Sequence, residues 1–99
     1  MTPEILVSRE ARADIAEAIA GFRDISPTLA ARFGVELERV YSNILDYPQM
    51  YPAVYKKFRR ALVRKFPYSV FYIVHESSVL IIGVVHQSRE ESTWKRRAL

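Results

Sequence analysis

Cysteine is absent from the 99 residues, glycine occurs three times and proline five. Without a thiol there are no disulfide frameworks, no Cys-type structural zinc, no iron–sulfur cluster and no thiolate nucleophile, and the cytoplasm becomes the expected compartment. Few glycines and prolines beside 49% hydrophobic and 12% aromatic residues exclude a disordered or low-complexity chain. Long apolar runs are missing too. The strongest, Val70 to Val74 and Val79 to Val85, fall far short of the ~20 residues that cross a bilayer. The opening Met1-Thr2-Pro3-Glu4 is no basic-then-apolar export leader. These absences predict one soluble, unexported domain over residues 1–99, with no membrane partner. No metal-ligand spacing, phosphate loop or dinucleotide fingerprint occurs, so neither metal nor cofactor is expected.

Positive charge is plentiful, but only in the second half. Residues 1–55 carry five arginines against eight acids, whereas residues 56–99 carry ten basic side chains against three glutamates. Lys56, Lys57, Arg59, Arg60, Arg64 and Lys65 run without an acid among them, and Arg89, Lys95, Arg96 and Arg97 follow near the end. Clustered like charge raises the local potential, which points to a polyanion or an acidic protein as partner. A solvated basic face with no partner is the plain alternative.

The apolar period changes once, near Pro48. Ile5-Leu6-Val7 is a short β-branched strand ended by Ser8, which then caps a helix over 9–23 striped by Ala11, Ile15, Ala18, Ile19 and Phe22. Ser26-Pro27 starts a second helix over 27–46, with Phe33, Leu37, Val40 and Ile44 on its apolar face. Beyond the loop around Pro48 and Pro52, alternation predicts antiparallel strands over 59–66, 68–75 and 79–86. In the first of these Arg60 and Arg64 share a face; in the second Tyr68 and Tyr72 do. Gly83 marks a bulge or a close backbone approach. The expected fold is α+β, β-α-α-β-β-β, a mainly antiparallel sheet packed by an N-terminal helical hairpin. One layer of helices covers one sheet face, leaving the other to partial cover or to a partner.

The segment Ala13 to Ala18, the run Arg60-Ala61-Leu62-Val63 leading to Phe66-Pro67-Tyr68-Ser69-Val70-Phe71-Tyr72, and His86-Gln87-Ser88-Arg89 followed by Trp94 and Arg97 together resemble the RelE/ParE superfamily of type II toxin–antitoxin toxins. The resemblance covers essentially the whole chain in order and length, and its tyrosine-rich segments look more like the ParE-named branch. It implies a small basic cytoplasmic toxin that inhibits growth and serves plasmid stabilisation. A cognate antitoxin, forming a hetero-oligomer with it, would neutralise it. RelE-like members are ribosome-dependent mRNA endonucleases; ParE-like members poison DNA gyrase without a known active site of their own. A non-toxic basic nucleic-acid-binding module is a third reading.

Cleaving RNA without a metal requires a base for the 2′-hydroxyl, cations for the phosphorane and an acid for the leaving oxygen. The candidates for those roles are Arg60, Arg64, His86 and Arg89. Ser69 stands where RelE-like chains commonly carry arginine, and Trp94 where they carry a late tyrosine. An indole N–H neither gives nor takes a proton usefully, and both departures favour the gyrase reading. For binding a target or partner the candidates are Arg60, Arg64, Tyr68, Tyr72, Arg89 and Trp94. Trp94 reads as an anchor for the C-terminal segment or a stacking surface. Asp14 and Glu17 read as helix surface.

Overall fold

A computed structural model describes residues 4–97. It comprises β1 (Glu4–Val7), α1 (Arg9–Ile25), α2 (Pro27–Asp46), β2 (Ala53–Tyr55), β3 (Phe58–Leu62), β4 (Tyr68–His75), β5 (Ser78–His86), a 3-10 turn (Gln87–Arg89) and α3 (Glu90–Arg97). The fold is α+β, as the change of period predicts. Five strands form one sheet in the order β1-β5-β4-β3-β2, with β1 parallel to β5 and the other pairs antiparallel.

Both helix starts follow from hydroxyl caps. Ser8 Oγ accepts from the Ala11 N–H at 3.1 Å and Ser26 Oγ from the Leu29 N–H at 3.4 Å, with Pro27 in the first turn, where its missing N–H costs nothing. α2 buries Ala30, Phe33, Leu37, Val40 and Ile44 on one side. α1 turns only Ala11 and Ala18 fully inward, small residues that let its backbone lie close to β5. Against them stand Ala61, Val63, Val70, Tyr72, Val79, Ile81 and Val84, which strand register places on the sheet face under the hairpin.

Three features depart from the sequence reading. β3 ends at Leu62, not at 66: the Val63 N–H donates to the Tyr68 carbonyl and the Phe66 N–H to the Val63 carbonyl, so residues 63–67 turn, with Lys65 left-handed at φ 68°. Arg64 is therefore exposed in that turn and shares no strand face with Arg60. β2 is an additional edge strand, joined to β3 through Lys56-Lys57. α3 is a further helix, and it lies against the second face of the sheet.

Tyr72, expected among the partner-binding residues, is instead 0% exposed. Its ring packs under the hairpin and its hydroxyl donates to the Pro48 carbonyl at 2.7 Å, anchoring the loop after α2. Burial pushes the Tyr72 phenol up to about 12, against the opposing pull of Arg59, and burial with Glu38 nearby pushes Tyr41 up to about 12 as well. The folded chain thus holds both phenolic protons more tightly than the unfolded chain, whose tyrosines titrate near 10. The resulting stability is fully present below about pH 10 and is lost as the pH rises towards about 12. Urea denaturation across that range should show the decline. The Tyr41 hydroxyl is buried without a hydrogen-bond partner among the described residues. Tyr41→Phe removes an unsatisfied polar group, so it should leave stability unchanged or raise it by about 1 kcal/mol. A loss of that size would show that the hydroxyl is satisfied.

Candidate functional site

The sheet separates the candidate residues into two groups. On its second face, register aligns Arg60 with Phe71 and Gly83, and Leu62 with Ser69 and Val85. Arg60 Nη1 donates to Glu90 Oε2 at 2.9 Å, and the fully buried Ser69 hydroxyl donates to Glu90 Oε1. Glu90 opens α3, where a carboxylate also suits the positive end of the helix dipole. One half-buried carboxylate thus ties α3 to two strands and neutralises the arginine that points out of this face. Next to it the Trp94 ring stacks on Tyr55 of β2 at 4.4 Å between centroids and 35° between planes. Arg60, Gln87, Ser88, Glu90 and Trp94 line a shallow cleft of about 470 Å³ there.

On the helical side, a cavity of about 320 Å³ opens between α1 and the end of β5, walled by Glu17 and Phe22 on one side and Tyr68, His86 and Arg89 on the other. Tyr68 pairs across the ladder with His86, their rings edge-to-face at 5.4 Å. Burial raises the Tyr68 phenol above its ordinary value, with Arg89 pulling the other way and Glu17 and Asp14 adding to the rise. His86 Nδ1 accepts from the Ser88 N–H at 3.1 Å and lies 2.9 Å from Ser88 Oγ, so the ring caps the 3-10 turn. An acceptor at Nδ1 places the proton of the neutral imidazole on Nε2.

The six-residue basic run is dispersed as well. Lys56 and Lys57 sit at one end of β3 and Arg64 and Lys65 at the other. Arg59 donates to the carbonyls of Gln49 at 3.1 Å and Tyr51 at 2.5 Å, bracing the loop after α2.

Two residues gain a role that the sequence reading does not give them. Asp14, read as helix surface, accepts from both terminal nitrogens of Arg97, at 2.6 and 3.0 Å, and from the Val84 N–H at 3.0 Å. Arg97 also donates to the Ile82 carbonyl at 3.1 Å. β1 covers β5 only as far as Ile81, and the two side chains satisfy the open strand edge just beyond it. Glu90 is the other. Its only sequence signal is a helix of acids first and bases last, Glu90-Glu91 to Lys95-Arg96-Arg97. No group of three metal-binding side chains occurs among the described residues, and no described helix is long and apolar enough to cross a membrane.

Comparison with known proteins gives two findings. Residues 5–91 match the family described as ParE toxin of type II toxin-antitoxin system, parDE. Among solved structures, one titled as the chromosomal ParDE TA system from P. aeruginosa superposes with a TM-score of 0.75. The match spans 86% of this chain and 96% of that one at 15% identity, a likeness of fold. No curated protein sequence matches the chain.

Proposed function

Since the chain belongs to the family of ParE toxins of type II toxin–antitoxin systems, we propose that it inhibits growth by binding and poisoning DNA gyrase. It does so without chemistry of its own, in the cytoplasm, and a cognate antitoxin holds it silent. One observation carries the reading: of the four residues from which a nuclease would be built, only His86 and Arg89 share a site, and Arg60 and Arg64 lie apart from it and from each other. Arg60 lies on one sheet face, paired with Glu90. His86 and Arg89 border the cavity on the other side, and Arg64 is in a turn. General acid–base cleavage needs base, acid and cation within hydrogen-bond reach of one phosphate. A binding surface has no such requirement. The antitoxin would cover apolar side chains left in the open, among them Leu6 at 48% and Leu62 at 55% exposure, and bring acids to the basic half.

The purified chain added to gyrase and plasmid should block supercoiling and accumulate cleaved DNA, and should leave mRNA on translating ribosomes intact. Cut mRNA with unaffected gyrase would replace this reading by the ribonuclease one. His86 separates the two in cells. As a cap, its loss costs about 1 kcal/mol, so His86→Ala should keep its toxicity with a slightly lower melting temperature. As a general base its loss would cost about 10²–10⁴ in rate as well and relieve toxicity with the same small fall in melting temperature.

A further inference from the structure

The β2–β3 hairpin tip and the adjoining side of α3 form a surface that the toxin reading leaves without a purpose. Tyr55 and Trp94 stack on each other there, each half-buried. Lys56 Nζ lies 5.2 Å from the centroid of the Tyr55 ring and Lys95 Nζ 6.0 Å from that of Trp94. Lys57 and Arg96, next in sequence to these two lysines, are exposed. The acids nearby are engaged: Glu91 pairs with Lys95 at 2.7 Å, and Glu90 turns inward to Arg60 and Ser69. Among the described residues no carboxylate pairs with Lys56, Lys57 or Arg96. Lys56 moreover holds a left-handed backbone, φ 51°, at a turn position that suits glycine or asparagine.

We infer that this aromatic pair, bordered by ammonium groups, is a contact surface for a single nucleic-acid strand. Rings that carry an ammonium group over them match a chain that alternates bases with phosphates, since the flexible lysine side chains can turn to the phosphates while a base takes the ring face. An acidic peptide would answer the lysines but give the rings nothing flat to stack on. Binding would be tolerant of sequence, because stacking and phosphate contacts serve every base alike. It requires no cleavage and stands whether or not gyrase is the target.

Trp94 is the sole tryptophan, so its fluorescence reports the site directly. Titrating the full chain with short oligothymidylate should quench that emission, and affinity should weaken steeply with salt. The double variant Lys56→Glu/Lys57→Glu should flatten the dependence of log K on log salt by ~0.7 for each phosphate that is no longer neutralised. Lys56→Gly, which suits the turn, should do so in part while keeping the wild-type melting temperature. Lys65→Glu, beyond the far end of β3, should change nothing. No quenching, quenching indifferent to salt, or an equal effect of Lys65→Glu would overturn the inference. So would equal quenching by polyglutamate, which would make the partner an acidic protein.

Discussion

Phe33→Ala is expected to remove most of the chain's stability. Phe33 is 0% exposed and meets three other rings, Phe22 at 5.1 Å, Phe66 at 5.2 Å and Tyr68 at 5.2 Å. Those rings come from α1, the β3–β4 turn and β4, so one side chain from α2 joins four parts of the fold. Truncating a buried phenylalanine costs about 3–5 kcal/mol through lost transfer energy and the cavity left behind. Domains as a rule have only about 5–15 kcal/mol in total. At roughly 4–8 °C per kcal/mol for a domain of this size, the melting temperature should fall by more than about 12 °C. The cavity beside Tyr68 and His86 loses its backing at the same time, so chemical shifts of both residues should move in whatever remains folded. A loss below about 1 kcal/mol by calorimetry would mean that Phe22 and Phe66 collapse into the gap and that the cluster is not the centre of the core.

The same ring cluster shows where the sequence could be read and where it could not. Phe33, Leu37, Val40 and Ile44 recur at helical spacing, and burying them needs no knowledge of the partner surface; Ser8 and Ser26-Pro27 act within one turn. These signals are local, and the helices and the β4–β5 hairpin follow from them. Phe66 continues the alternation begun at Arg60, yet the chain turns before it, because a place among Phe22 and Phe33 stabilises the ring more than a continued strand would. The β2–β3 turn lacks the Gly or Asn that announces a hairpin, and carries Lys56 in a left-handed conformation instead. α3 escapes because it has no apolar stripe; Thr93 alone is buried, and ion pairs hold it. The candidate site divides in the same way. The outward position of Arg60 follows from strand alternation, but its partner Glu90 lies thirty residues on, and no period connects the two. Tyr72 shows the opposite error: an aromatic in a strand apolar on both faces reads equally well as groove or as core.

Breaking the Asp14–Arg97 pair should loosen α3 and open the edge of β5. The pair is bidentate, with side chains 14% and 21% exposed, and it also satisfies the Val84 N–H and the Ile82 carbonyl. An exposed ion pair is worth about 0–1 kcal/mol, and breaking a fully buried one costs about 3–5 kcal/mol. This pair lies between those limits, so Asp14→Ala and Arg97→Ala should each cost about 2 kcal/mol, or roughly 8–16 °C in melting temperature. The double variant should cost little more than either alone, because the second deletion removes a partner that the first has already orphaned. Gly83→Ala should act through the same contact, since a Cβ there would come within 2.7 Å of Arg97 Nη1, an atom held in place by Asp14. The Trp94 emission should shift to the red in all of these variants as α3 leaves the sheet. With the side-chain cover gone, the Val84 N–H is unpaired and the Ile82 carbonyl keeps only the Ser8 hydroxyl at 3.3 Å, so this strand edge opens to other copies, and light scattering should rise with protein concentration. Additive losses in the double variant would mean that the two side chains act separately, and an unshifted Trp94 emission would mean that Glu90 and the Tyr55 stack hold α3 without them.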